Sequence, residues 1–357
     1  MTAQASDLAR AVKVIEHLEQ QLSTIEAARS EPIAIVGMAC RFPGADGLDA
    51  YWKLLIDGRD AVTEVPPERW DIDDLYHADP DAPGKMSTRR GGFIEDIDRF
   101  DATFFNISPR EAALMDPQQR LLLELTWAAL EDAGIAPDRL DGSDTGVFAG
   151  VTASDYARMA AADQGNLNAY WGTGNAPSVV AGRIAYTFGL HGPCMSIDTA
   201  CSSALVAVHN AVQNLRLGEC GLALVVSANM VLAPEATIAF SKARMLSPDG
   251  RCQSFDERAN GYVRSEGAAA IVLKTLSKAR ADGDCVHAII RATAINQDGA
   301  SSGLTVPNGP AQAALIRRAL SDGHIAPAEI GYVEAHGTGT ALGDPIEIEA
   351  LGEVFRD

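Results

Sequence analysis

One cysteine, Cys201, stands among small residues at the junction of a predicted strand and a predicted helix. Residues Met195–Asp198 follow a Gly-Pro pair and are predicted to form a short buried strand. A helix is predicted from Ser202 to Leu217, because apolar residues recur there at helical spacing. These apolar positions are Leu205, Val208, Val212 and Leu215. The pattern therefore puts the Cys201 sulfur at a tight strand-to-helix turn.

The expected turn favours nucleophilic chemistry at Cys201. Its neighbours Thr199, Ala200, Ser202 and Ser203 are small, so they let the backbone turn sharply and leave the sulfur uncovered. A helix N-terminus carries free N–H groups and a partial positive charge, which favour thiolate over thiol. This is the logic of a nucleophile elbow with sulfur as the nucleophile. The alternative from residue type alone is a buried structural cysteine.

A second stretch with chemical potential surrounds His336. Residues Ile330–Ala335 are predicted to form a strand, which puts His336 at the carboxyl end where α/β sheets place their chemistry. Glycines at 337, 339 and 343 keep the following loop close to whatever His336 faces. Their spacing misses the Walker and Rossmann patterns, so a phosphate-binding loop is not favoured. From the residues alone, a structural histidine and a catalytic one both stay open.

Strands alternating with helices must position these two stretches. Besides those above, the apolar patterns predict further strands at residues 32–44, 145–151, 222–228, 267–274 and 287–294. They also predict helices at residues 49–58, 116–133, 176–190, 309–323 and 344–354. This order indicates a layered α/β architecture with a mainly parallel sheet. The first strand is not a dinucleotide-binding start, because Gly37 has no second glycine before Gly44.

Residues 1–30 follow a different pattern, that of a coiled-coil seam. Apolar residues recur in alternating steps of three and four, and Pro32 stops the helix. The seam residues are Leu8, Ala11, Ile15, Leu18, Leu22 and Ile25. About three heptads are marginal as a lone helix, so a partner surface is required. That surface is either a second helix or the protein's own globular part.

The composition excludes several classes of function. The chain has 357 residues, 47% of them hydrophobic, and no apolar run of the roughly 18 residues that a membrane span needs. The net charge of −19 argues against nucleic acid and anionic membranes as partners. No secretory signal pattern opens the chain, and its six cysteines lack metal-binding spacing. Reduced thiols in the cytoplasm are expected.

Several strings in this sequence resemble one enzyme family. Asp198-Thr-Ala-Cys-Ser-Ser-Ala-Leu205 is similar to the active-site signature of the β-ketoacyl synthases, specifically the ketosynthase domains of modular type I polyketide synthases. The stretch Tyr332–Pro345 resembles the motif that carries the first catalytic histidine of ketosynthases. The opening strand and the polar loop Phe255–Gly267 also resemble the family, although Phe and Gly are usual at the places of Tyr262 and Ser265. The resemblance runs from Glu31 to the last residue.

The resemblance implies a fold and a catalytic set. The fold is thiolase-like: two pseudo-repeated α/β halves stacked in five layers, αβαβα. Catalysis in the family uses one cysteine, two histidines and one lysine, and Cys201 and His336 match the first two positions. The motif that carries the second histidine and the lysine does not occur before Asp357, and Lys274 and His324 do not stand in it. We therefore expect a fragment whose second half is incomplete.

The resemblance also implies a reaction and its partners. Cys201 is expected to take an acyl group from an acyl carrier protein, and a malonyl-type extender is then joined by decarboxylative Claisen condensation, with His336 stabilising the enolate. No cofactor or metal is bound directly, since the phosphopantetheine belongs to the carrier. Residues 1–30 resemble a docking coiled coil that receives the C-terminal segment of an upstream synthase in a homodimer. The expected divisions are 1–30, 31–280 and 281–357.

Two other functions stay open at this point. One is a non-condensing scaffold that docks partners and passes acyl chains on, because half of the decarboxylation set is absent from the sequence. The other is a thiolase-like enzyme that uses coenzyme A thioesters, which the predicted docking helix disfavours. A cysteine at position 201, where decarboxylase-only loading domains have glutamine, favours chain extension.

Overall fold

A mixed β-sheet with helices on both faces organises the protein. The computed structural model describes residues 13–21, 28–152 and 155–356. The strands are β1 (Ile33–Phe42), β2 (Ala45–Asp46), β3 (Val62–Glu64), β4 (Arg90–Gly92), β5 (Gly146–Val151), β6 (Cys194–Ile197), β7 (Ala223–Asn229), β8 (Gly267–Thr275) and β9 (Ala288–Ile290). The helices are α1 (residues 13–21), α2 (Leu48–Ile56), α3 (Ile72–Leu75), α4 (Pro109–Ala112), α5 (Pro117–Asp132), α6 (Asp155–Ala161), α7 (Ala169–Asn175), α8 (Pro177–Phe188), α9 (Ser203–Leu217), α10 (Glu235–Lys242), α11 (Leu276–Asp282), α12 (Gly309–Asp322) and α13 (Gly343–Phe355).

The main sheet is mixed, so the prediction of a mainly parallel sheet was wrong. Its order is β2-β1-β8-β7-β5-β6, with β9 also paired to β1. Among the described strands, the parallel pairs are β5 with β6 and β5 with β7, whereas β8 is antiparallel to both β1 and β7. Asn229 at the end of β7 faces Gly267 at the start of β8. The connection from β7 to β8 therefore starts and ends at the same end of the strands and needs no crossover helix.

Two hydrophobic cores lie on opposite faces of this sheet. On one face, α5 and α8 pack against the strands, and Leu122, Leu130 and Ile184 are almost completely buried. On the other face, α9 packs against Phe148 and Val225. Burial of each large aliphatic side chain contributes about 1.5–3 kcal/mol. The sheet is therefore sandwiched between helices, and α9, which follows Cys201, is anchored along its length.

Two details of the Cys201 region differ from the prediction. Leu205 is 74% exposed, because the buried face of α9 is formed by other residues. These are Ser203, Ala207, Ala211, Val212 and Leu215. Strand β6 is not buried, since it is the edge of the sheet and pairs only with β5 among the described strands. Most of these residues are small, so α9 approaches the sheet closely, and Leu205 lies on the outer face of the helix.

The region after β8 departs further from the prediction. The expected strand 287–294 is shorter, and β9 adds to the same sheet by pairing with β1. Residues 330–335 are not a strand, because no described strand lies beside them to form a hydrogen-bonded ladder. Tyr332 is consequently 80% exposed. Helices α12 and α13 form where predicted and bury Ala313, Ala350 and Val354 between them.

The predicted coiled-coil seam falls partly outside the described residues. Helix α1 covers Ile15 and Leu18, and both side chains are about half exposed, at 53% and 52%. Leu8, Ala11, Leu22 and Ile25 lie outside the described ranges. The described part of the seam is thus helical and is not covered by the globular part.

Candidate active site

Cys201 lies at a sharp turn from strand to helix, as predicted. Strand β6 ends at Ile197, α9 begins at Ser203, and residues Ala200–Ser202 form a single 3-10 turn between them. The Cys201 thiol is free and exposed. A nucleophile needs this combination of a fixed backbone and an uncovered sulfur to reach an incoming acyl group.

The backbone just before Cys201 adopts a conformation that non-glycine residues rarely use. Ala200 has a φ of 53°, in the left-handed region. The Asp198 carboxylate stabilises this turn by accepting a hydrogen bond from the Ala200 N–H at 3.0 Å. Conformations of this kind are costly and persist where the surrounding structure holds them. The strained residue therefore directly precedes the predicted nucleophile.

Close packing of β5 against the start of α9 fixes the turn to the sheet. A Cβ atom at Gly150, near the end of β5, would lie 2.8 Å from the Ser203 carbonyl carbon. Glycine is therefore required at position 150 for the two backbones to approach this closely. The helix that follows Cys201 cannot shift away from the sheet without losing this contact.

His336 lies in an exposed loop that a helix carboxylate holds. The backbone N–H groups of His336 and Gly337 donate to the two carboxylate oxygens of Glu347 on α13, at 2.7 and 2.8 Å. Gly337 and Gly339 have φ values of 51° and 67°, so the loop needs glycine at both positions. The prediction placed His336 at the end of a strand, whereas the structure holds it by these two hydrogen bonds.

A second carboxylate connects the His336 loop to the polar loop that precedes β8. Asp344, which is buried, accepts hydrogen bonds from the N–H groups of Gly339 at 3.0 Å and Phe255 at 2.6 Å. The Gly261 N–H also donates to the Gly339 carbonyl at 2.8 Å. The carbonyl oxygen of Gly337 accepts a hydrogen bond from the Ser254 hydroxyl. The His336 loop is thus tied to residues 252–261.

Tyr262 is the residue of this polar loop that interacts electrostatically with Cys201. It follows Gly261 directly, and burial raises the pKa of its hydroxyl, a shift that Arg264 opposes and the nearby Cys201 increases. Cys201 is therefore within electrostatic range of Tyr262, while the His336 loop is bonded to the adjacent residue. The segment that binds the His336 loop therefore ends next to Tyr262, whose pKa Cys201 helps to raise.

Two acidic residues that the sequence reading missed support the site. Asp344 and Glu347 lie in the first turns of α13, where acidic residues are common in any helix because of the helix dipole. Because the helix dipole already explains acidic residues at these positions, their contacts with the His336 loop could not be predicted from residue type. The only usable signal was their position immediately after a glycine-rich loop.

Lys274, which the sequence analysis leaves out of the catalytic set, belongs to a buried ion-pair cluster. Its ammonium group is buried and paired with Asp282 at 2.9 Å and Asp284 at 2.6 Å. It therefore connects β8 to the segment after α11. Among the described residues, no group of histidine, cysteine or acidic side chains could hold a metal ion, and no helix is long and apolar enough to cross a membrane.

Two known protein-family domains together match most of the chain. Residues 30–279 match the N-terminal domain of β-ketoacyl synthases, and residues 287–357 match the C-terminal domain. A phenolphthiocerol/phthiocerol polyketide synthase from Mycobacterium tuberculosis is 54% identical over 329 residues, which are 92% of this chain and 21% of that protein. An erythronolide synthase from Saccharopolyspora erythraea is 52% identical over 327 residues, or 91% of this chain and 9% of the synthase.

Solved structures give the same assignment. An oxazolomycin ketosynthase domain from Streptomyces albus superposes with a TM-score of 0.87 and 44% sequence identity, covering 91% of this chain and 56% of that domain. The chain spans about a fifth of the first relative and little more than half of this structure. The expected ketosynthase fold of the thiolase type is thereby confirmed. The chain belongs to the β-ketoacyl synthase family.

Proposed function

We propose that this chain is the ketosynthase part of a polyketide synthase and extends acyl chains by decarboxylative Claisen condensation. The observation that carries the proposal is the exposed Cys201 thiol at the turn between β6 and α9, within the region that matches the family. The relatives are polyketide synthases and a ketosynthase domain, which favour condensation over a purely scaffolding role.

The first step transfers an acyl group to Cys201. The thiolate attacks the carbonyl carbon of an acyl thioester on the carrier protein, and a C–S bond to Cys201 forms. The bond to the phosphopantetheine sulfur of the carrier then breaks, and that sulfur leaves as a thiolate. We assign the backbone N–H of Cys201, at the start of the helix, to stabilising the oxyanion of the tetrahedral intermediate.

The second step joins the extender unit. The carboxylate of a malonyl-type thioester leaves as carbon dioxide, and the electron pair of the broken C–C bond forms an enolate. The enolate carbon attacks the acyl carbonyl on Cys201, a new C–C bond forms, and the Cys201 thiolate is released. We assign the His336 imidazole N–H to stabilising the enolate oxygen. The β-ketoacyl product stays on the carrier.

The partners follow from this chemistry. An acyl carrier protein supplies the phosphopantetheine arm, so this chain itself holds no cofactor in the proposal. Residues 1–30 pair as a docking coiled coil that receives an upstream synthase, and the exposed apolar residues of α1 support this role. One edge of β6 pairs with no strand of the described residues, which supports a homodimer, because an edge strand can extend its sheet across a two-fold axis. The cytoplasm is the proposed location.

Mass spectrometry of the native protein tests the proposal. After incubation with an acyl thioester, we expect an acyl adduct on the peptide that contains Cys201. Addition of a malonyl-loaded carrier protein should then remove the adduct and produce a β-ketoacyl carrier with release of carbon dioxide. Persistent acyl-Cys201 without a condensation product would instead support the scaffold function. Absence of any adduct on Cys201 would refute both.

A further inference from the structure

The buried hydroxyl of Ser203 bridges the turn that carries Cys201. Ser203 is only 3% exposed. Its Oγ accepts a hydrogen bond from the Thr199 N–H at 2.9 Å and donates one to the Ala200 carbonyl at 2.7 Å. The Ser203 hydroxyl, after Cys201, is thus hydrogen-bonded to the backbone of two residues that precede Cys201. These bonds close a hydrogen-bonded ring that includes the cysteine.

This ring holds a backbone that would otherwise relax. The left-handed φ of Ala200 is unfavourable for a residue with a Cβ atom. The Ser203 hydroxyl fixes the carbonyl of Ala200, and the Asp198 carboxylate fixes its N–H. Loss of one of these two bonds would let the peptide before Cys201 rotate toward a more favourable conformation, which changes the direction of the sulfur.

Ser203 is itself held in place from the sheet side. Its carbonyl group lies so close to Gly150 of β5 that no side chain would fit between them. The hydroxyl therefore cannot follow the turn if the turn moves. The neighbouring Ser202 differs in this respect: it is exposed, and its hydroxyl donates only to Thr199, to Oγ1 and the carbonyl, both at 2.9 Å. Water can replace exposed bonds of this kind.

We propose that Ser203 is a positioning residue for Cys201, with its hydroxyl holding the strained Ala200 backbone so that the sulfur points at the incoming acyl carbonyl. The inference rests on the proposed function, in which Cys201 is the acyl acceptor. It assigns no chemical step to Ser203, because the hydroxyl acts on the backbone alone.

The test compares Ser203→Ala with Ser202→Ala in the native protein. Two rates are measured at the Cys201 peptide by mass spectrometry: acylation by an acyl thioester and alkylation by iodoacetamide. Acylation needs an oriented sulfur, whereas alkylation needs only an exposed one. For Ser203→Ala we expect acylation to fall about tenfold, the effect of losing buried hydrogen bonds, while alkylation changes by less than about twofold. The acylation rate should fall less for Ser202→Ala than for Ser203→Ala.

Exposed cysteines in the same protein provide the internal reference. Alkylation of Cys252 and Cys285 should be unchanged in both variants, because both lie outside the turn. Altered alkylation of these two residues would indicate general unfolding and a purely structural role for Ser203. Equal acylation rates for the unmodified protein and Ser203→Ala would overturn the proposal. If the unmodified protein takes no acyl group on Cys201, the proposed function itself fails.

A second substitution tests the role of the strained backbone. Glycine adopts the left-handed region without strain, so Ala200→Gly should restore at least half of the acylation rate that Ser203→Ala loses. This double variant also decides the case in which Ser203→Ala alone does not fold. Recovery of both fold and acylation supports the proposal. A double variant that stays unfolded, or that folds and acylates as slowly as Ser203→Ala, would overturn it.

Discussion

Glu347 on α13 holds the backbone of His336, because both of its carboxylate oxygens accept hydrogen bonds from backbone N–H groups at the start of the His336 loop. The two hydrogen bonds, to His336 and Gly337, are 2.7 and 2.8 Å long. Hydrogen bonds to an ionised acceptor are stronger than those between neutral groups. The position of the imidazole therefore depends on a residue eleven positions along the chain.

Replacing Glu347 with Gln should impair condensation and spare acylation. The amide keeps one acceptor oxygen but turns its NH2 group toward an N–H donor, so one hydrogen bond is lost. We expect condensation to slow about tenfold, whereas acylation of Cys201 stays unchanged. Glu349→Gln is the matched control, because Glu349 is an exposed residue on the same helix.

A double-mutant cycle shows whether Glu347 acts through His336. If it does, Glu347→Gln should have almost no further effect in a His336→Ala background. If the two substitutions instead reduce the condensation rate by factors that multiply in the double variant, Glu347 does not act through His336.

Replacing Cys201 with Ala should abolish acyl loading. The exposed sulfur is the proposed acceptor, and alanine has no nucleophilic atom. Intact-mass spectra of the variant should show no acyl adduct under conditions that load the native protein. Cys285→Ala is the control, because this cysteine is also exposed but lies outside the turn. An unchanged adduct on Cys201→Ala would refute the assignment.

Replacing His336 with Ala should separate the two chemical steps. Acyl loading should stay within about twofold, because His336 is assigned only to the enolate. Condensation should fall by about 100-fold, the usual effect of removing one donor to a developing negative charge. Single-turnover measurements of adduct formation and product release distinguish the steps. Equal product yield from the variant and the native protein would show that His336 has no such role.

Alkaline pH should destabilise the fold through Cys220. Burial, with Asp144 adding to it, raises the pKa of this thiol from 9.0 to about 11. The folded state therefore keeps the neutral thiol where the unfolded chain already ionises, and stability falls as the pH rises from 9 to 11. Urea unfolding at about pH 8 and pH 10.5 should show a smaller pH-dependent loss for Cys220→Ala than for Cys285→Ala, whose cysteine is exposed. Equal losses would contradict this explanation.

Deleting residues 1–28 should weaken pairing with an upstream polypeptide and leave the globular part folded. The apolar residues of α1 are exposed, so the cores around the sheet do not depend on them. Transfer of an acyl chain from the upstream carrier should slow, while acylation of Cys201 by a small thioester should not. Unaltered transfer from the upstream carrier would refute the docking role.

Local patterns in the sequence determined most of the elements around Cys201. The apolar run of β7, the proline and glycine that bound α8, and the small residues around position 201 each act within a few residues of the chain. Such short-range preferences can be read without knowing the partner surface. The nucleophile turn was predictable for this reason.

Tertiary structure decided what depends on contacts between distant residues. The exposure of Leu205 follows from which face of α9 packs against the sheet. The antiparallel direction of β8 follows from its connection, which returns at the same end of the strands. Residues 330–335 have strand-forming side chains, yet a strand requires a neighbour with which to share hydrogen bonds. The Glu347 contact to His336 likewise results from the packing of α13 against the His336 loop, which no local residue pattern encodes.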